Sequence, residues 1–239
     1  MTSIIAQSAP QVRCNGWEML ARCARRLSCY AAVLSAALAA AVATDADAAT
    51  WGCYGTKPGH PTREERFAFI REATQLAVKA ERTHGVPAPA LTAMAIIESG
   101  YGWTRLALQA NNLFGWKFAS SAPEEGRKQY HPPCRRDRTT GGYETFKSRA
   151  QAFDFVAGKL ASLEAYREYS EAYQAARKRG DPAEPALRAW LAGIAKSYSS
   201  KPDEFVKKVT RTMNNALEPA DSVSADYNLY HLSAPDFGG

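Results

Sequence analysis

Residues 96–117 read IIESGYGWTRLALQANNLFGWK, and the fold turns on the single charge near their start. Leu91-Thr92-Ala93-Met94-Ala95-Ile96-Ile97 is apolar enough to be buried on more than one helical face, and Glu98 ends the run as its first ionisable group. Pro87 and Pro89 open that helix, while Gly100 and Gly102 permit the left-handed or tight backbone that ends it. A carboxyl beside Ile96 and Ile97, at a helix C-terminus whose dipole disfavours negative charge, is expected to hold its proton more tightly than usual. With apolar side chains behind and open chain in front, Glu98 fits a general acid at the lip of a cleft. Burial alone would favour a structural glutamate bonded to a loop amide. The neighbours reverse that: Asn111, Asn112, Phe114 and Trp116 follow one short helix later, with amides for hydroxyl and N-acetyl groups and aromatic faces for sugar rings. Taken singly, Phe114 and Trp116 read as core residues and Asn111 as a loop cap.

Helical patterns continue on both sides of this stretch. Thr62-Arg63-Glu64-Glu65 has the form of a capping box, and Phe67, Ile70, Ala77 and Val78 form a stripe that ends before Gly85. A short helix is expected over 104–110. Ser148 with Gln151 repeats the capping pattern ahead of Phe153, Val156, Leu160 and Leu163, and further helices are expected at 166–179, 185–198 and 202–217. Between Phe118 and Gly142 the chain is polar and rich in Pro and Gly, which predicts a small irregular β or loop lobe. Residues 49–61 read as an arm, and 219–239 lack periodicity and are expected to be disordered. The fold class is therefore mainly α: one helical domain over 62–218 with a minor β/loop lobe.

Residues 1–48 differ in kind. Arg22, Arg25 and Arg26 precede the uncharged run 30–43 (YAAVLSAALAAAVA), followed by Ala46-Asp47-Ala48. That order reads as a secretory signal cleaved after Ala48, with Met19 as an alternative start. Fourteen residues are too few for a spanning helix, which needs roughly 20. The expected location is periplasmic or secreted, with no integral span once the signal is removed. Of five cysteines, Cys53 and Cys134 lie beyond the signal; in an oxidising compartment they can form one bridge, or stay as free thiols.

The composition, 46% apolar and 23% charged, is that of a globular protein. Without Arg13, Arg22, Arg25, Arg26, Glu18, Asp45 and Asp47, 26 basic and 21 acidic residues leave a net charge of +5. That balance draws a protein toward anionic polymers, although the basic residues look scattered along the helices. No basic stripe, phosphate-binding glycine loop or basic-aromatic alternation points to nucleic acid. His60, His84, His131 and His231 lack metal-ligand spacing and read as solvent or loop residues; no metal or cofactor is implied. Ser99 has no adjacent histidine to activate it.

ESGYG followed by NNLFGWK resembles the signature of the bacterial glucosaminidases of glycoside hydrolase family seventy-three, lysozyme-like endo-β-N-acetylglucosaminidases of peptidoglycan, with the nearest resemblance to their Bax-like branch. Tyr143-Glu144-Thr145-Phe146-Lys147-Ser148 is similar to the family's aromatic-x-x-aromatic-x-Ser segment, and 198–206 (YSSKPDEFV) to its tyrosine-containing segment before the last helix. The three motifs span 89–213. The resemblance implies a lysozyme-like fold, with Glu98 as general acid, Asn112 and Phe114 shaping the cleft floor, Tyr198 close to the reacting sugar and Tyr143 among the substrate-binding residues. Many members carry a second carboxylate in a Thr-x-Glu strand of the lobe. Residues 119–140 contain no such triplet, only Glu124, Glu125 and Asp137; Glu144 is a further candidate, for which a surface role reads more naturally. Retaining, inverting and substrate-assisted routes all stay open.

The expected function is cleavage of β-1,4 bonds in peptidoglycan glycan strands by a monomer. A lytic transglycosylase and a catalytically silent peptidoglycan-binding module are the alternatives.

Overall fold

The computed structural model describes residues 51–118, 128–133, 141–220 and 223–233. The expected signal segment, Glu124, Glu125, Asp137 and Cys134 lie outside them. Eight helices and one two-stranded sheet are present among the described residues: α1 (Arg63–His84), α2 (Ala88–Ser99), α3 (Arg105–Ala110), β1 (Gln129–Tyr130), β2 (Tyr143–Glu144), α4 (Arg149–Ser162), α5 (Glu164–Lys178), α6 (Ala183–Tyr198), α7 (Pro202–Asn214) and α8 (Leu229–Leu232). The mainly α fold class with its small lobe is thus what the chain adopts.

Local chemistry sets the helix ends. Thr62 caps α1 in a full capping box: the Glu65 amide donates to Thr62 Oγ1 at 3.3 Å, and the Thr62 amide to Glu65 Oε2 at 2.8 Å. Gly85, left-handed at φ 68°, closes the same helix. Ser148 caps α4 through the Gln151 amide, while the Gln151 side chain accepts from the amide of Lys147 rather than Ser148.

Helix α2 is the centre of the domain. Every residue from Ala88 to Ile96 is buried, and the helix packs against α1, α7 and α8. Removing side chains such as Leu91 and Met94 from water contributes about 1.5–3 kcal/mol each, so α2 is fixed by packing rather than by propensity. A polar thread ties the helices farther out: Trp190 Nε1 donates to Ser170 Oγ at 2.9 Å, which donates to the Leu160 carbonyl at 2.9 Å, joining α6, α5 and α4.

The lobe is slight. Strands β1 and β2 pair antiparallel, Gln129 opposite Glu144 and Tyr130 opposite Tyr143. Residues 116–118 run along the free side of β2: the Glu144 amide donates to the Trp116 carbonyl and the Phe118 amide to the Gly142 carbonyl, each at 3.0 Å.

The arm is fastened to the turn after α2. Thr56 bridges Thr104, the Lys57 amide donates to the Trp103 carbonyl at 2.9 Å, and the His60 ring stacks on Trp103 at 4.0 Å. Arg105 lies over the Trp51 ring at 4.0 Å. Cys53 is disulfide-bonded. Two histidines read as solvent or loop residues have acidic partners, His60 with Glu65 and His84 with Asp154, each at 2.8 Å.

Within 219–239, residues 223–233 pack against the helical domain. Leu229 is fully buried, the Ala216 amide donates to the Tyr227 carbonyl at 2.8 Å, and Tyr227 meets Phe67 edge-on at 5.9 Å. Isolated anchors hold this segment, so it has no periodic face for a pattern search to find.

Candidate active site

Glu98 occupies the last turn of α2. Gly100, left-handed at φ 55°, ends the helix, and a Cβ on it would collide with the Thr56 side chain. Ser99 is buried beneath the turn and accepts from the Gly102 amide at 2.8 Å, while Glu98 points outward. The glutamate is exposed as a residue, yet protein surrounds its carboxyl on the sides away from the opening. This crowding raises its pKa above the ordinary value of 4.5, and the nearby positive charge of Lys208 offsets part of the rise.

The loop 111–117 forms the facing bank. A Cβ on Gly115 would stand 3.6 Å from Glu98 Oε2, so the loop backbone passes directly across the carboxyl. Asn112 sets the shape of that loop. Its Nδ2 donates to the carbonyls of Trp116 and Glu144, each at 2.9 Å, and its Oδ1 accepts from the amides of Phe114 at 3.3 Å and Trp116 at 3.0 Å. Both donors and both acceptor sites of the amide are filled. Asn111, left-handed at φ 50°, closes α3 and donates to the Phe146 carbonyl at 3.0 Å.

Between these banks lies a cleft of about 440 Å³. Phe114, Gly115, Trp116 and Lys117 line it from the loop, Tyr166 from α5, Tyr198 and Ser199 from the end of α6, and Phe205 from α7. Among the described residues Glu98 is the one carboxylic acid on its walls. The Tyr198 hydroxyl donates to the Phe114 carbonyl at 3.1 Å, joining α6 to the loop. Burial, then the charge of Glu98, push the Tyr198 phenol well above its usual range, so it stays a neutral donor. Trp116 is braced edge-on by Phe155 at 6.0 Å and Phe114 by Phe153 at 5.0 Å.

Glu98, Phe114, Trp116 and Tyr198 therefore meet at one cleft. Asn111, Asn112 and Tyr143 do not line it. Asn112, expected on the floor, sits beneath it with 1% of its surface exposed and its amide saturated. Tyr143 is buried in β2, with the Lys117 ammonium 3.7 Å from its ring centre. Glu144, read as a surface residue, is 3% exposed. Tyr166 is hidden among ordinary helix positions; Lys117 and Phe205 fall within the NNLFGWK and YSSKPDEFV segments but carry no separate signal as cleft residues.

A family model described as mannosyl-glycoprotein endo-β-N-acetylglucosaminidase, of the glucosaminidase group, matches residues 74–217, more than half of the chain. The catalytic domain of the autolysin Auto from Listeria monocytogenes aligns in structure with a TM-score of 0.46 and 16% identity, covering 79% of this chain and 94% of that one. No curated protein matches the chain.

Proposed function

From the premise that the chain belongs to the glucosaminidase family, we propose that it is a peptidoglycan hydrolase, an endo-β-N-acetylglucosaminidase of the Bax-like branch that cuts the β-1,4 bond after N-acetylglucosamine with Glu98 as general acid. The observation that supports this best is the pairing of a carboxyl whose pKa is raised by burial with an aromatic-walled cleft. Trp116 and Tyr198 offer faces to pyranose rings. The proton of Glu98 passes to the glycosidic oxygen as the C1–O bond breaks and positive charge develops on the N-acetylglucosamine ring. Water then completes hydrolysis and leaves a reducing N-acetylglucosamine end. The base or nucleophile on the other face of the sugar is either the substrate's own N-acetyl oxygen or a lobe carboxylate. The neutral Tyr198 hydroxyl fixes the Phe114 carbonyl and with it the distance between the banks. The signal-like leader supports action outside the cytoplasm.

The test is digestion of purified peptidoglycan by the protein and its Glu98→Gln variant, with mass spectrometry of borohydride-reduced fragments. The variant is expected to lose about 10²–10⁴-fold in rate while staying folded. Reduced N-acetylglucosamine ends from the parent alone support the reading. Anhydromuramyl ends would make the protein a transglycosylase, and binding without any cleavage a recognition module.

A further inference from the structure

A second concavity, about 540 Å³, shares the last turn of α2 and the helix α7 with the cleft. Its walls are mainly basic: Lys207, Lys208 and Arg211 project from α7 and Arg66 from α1, beside one acid, Glu204, over a floor that includes Ile97 and Tyr101. Positions 204, 207, 208 and 211 follow the three- and four-residue spacing of one helical face, so charges that look scattered in sequence converge in space. Little neutralises them. Glu204 is engaged by Lys201 at 3.1 Å, and Arg66 is paired with Glu218 at 3.3 Å. Among the described residues, no carboxylate lies within ion-pair distance of Lys207 or Arg211. Lys208 is near enough to Glu98 for its charge to act on that carboxyl, so the basic groove begins beside the reaction centre.

We propose that this groove binds the acidic peptide stem borne by the muramyl residue next to the cleaved bond, with Lys207 and Arg211 pairing its carboxylates. The inference rests on the glucosaminidase reading of the cleft. When the bond after N-acetylglucosamine is cut, the sugar that leaves is a muramyl unit, and its lactyl ether carries a peptide with several free carboxylates and small alanyl side chains. Such a chain starts within a few ångströms of the acid and needs a neighbouring surface with positive charge and a modest apolar floor. The groove supplies both, through charge-assisted hydrogen bonds above and Ile97 and Tyr101 below.

The test compares the parent with the double variant Lys207→Gln/Arg211→Gln on two substrates of matched length, glycan strands carrying peptide stems and strands stripped of them by an amidase. On stem-bearing strands KM is expected to rise about tenfold with kcat retained, as lost charge-assisted contacts would predict. On stripped strands the two proteins should behave alike, and Lys207→Arg should keep the parental KM. Equal loss on both substrates, or no loss on either, overturns the proposal. Binding gives a second readout: in the Glu98→Gln background, a disaccharide-tetrapeptide should bind about tenfold more weakly after the double substitution, and the peptide-free disaccharide unchanged. DNA or polyphosphate binding with the same dependence, and no preference for stems, would overturn the proposal in favour of a general anion site. Failure of the parent to cleave either strand sinks the glucosaminidase reading, whereas the binding measurement still decides the groove.

Discussion

Helix α2 and the loop 111–117 face each other across one carboxyl, and different physics builds each. The helix is buried from Ala88 to Ile96 and held by apolar contacts on several sides. The loop has little regular structure, and one side-chain amide, that of Asn112, supplies four of its hydrogen bonds. Apolar packing is spread over many contacts and tolerates local loss, whereas the loop concentrates its order in a single residue. Stability and catalytic geometry should therefore separate under mutation.

The largest stability effect is expected on the helical bank. Leu91→Ala should cost about 2–5 kcal/mol in denaturant titration, yet leave kcat near the parental value at temperatures well below the melting point. If kcat falls in step with stability, the two banks are not independent. Asn112→Ala should cost less, about 1–3 kcal/mol, because it strands the amides of Phe114 and Trp116 but removes little apolar area. It should nevertheless lower kcat more than Leu91→Ala does, since the backbone opposite Glu98 loses its template; an unchanged kcat would show that the lobe alone holds the loop. The smallest effect is a sign. The Glu98 carboxyl has a raised pKa in the fold, so the stability its protonated form allows is complete below about pH 4.5 and declines as pH rises through the raised value. Melting temperatures of the parent and Glu98→Gln should coincide below that pH and diverge toward neutrality, with the glutamine variant the more stable. Divergence in the opposite direction would mean that the carboxylate is stabilised in the cleft.

The same contrasts decide which features are legible in the sequence. Thr62 and Ser148 announce helix starts because a cap is a local bargain between residues three apart. Glu98 is legible through its company, an uncharged run that ends at it and the NNLFGWK segment that follows one short helix later. The loop of Asn112 is legible, but the backbone partners of its amide are not, since a sequence shows an amide's capacity and not which groups fill it. Glu144 was misread because a two-residue strand has no alternation to tell an inward side chain from an outward one. The cleft-lining places of Tyr166 and of Phe205, the latter within the YSSKPDEFV segment, are not legible because a residue lining a cleft and a residue lining a core obey the same helical spacing. The basic groove escaped for a related reason: its charges come from α1 and α7, more than a hundred residues apart.

The arm over 51–61 decides where this chain can be divided. The matched family segment starts at residue 74, yet the contacts that brace the turn behind Glu98 come from Thr56, Lys57 and His60, with the Thr56 side chain filling the space a residue larger than Gly100 would need. The working unit thus begins before its recognisable unit. A shortened chain started at Thr62 would keep its cleft residues and its capped first helix while removing the clasp behind Glu98, and a fusion joined at that point would act on the cleft rather than on a neutral linker.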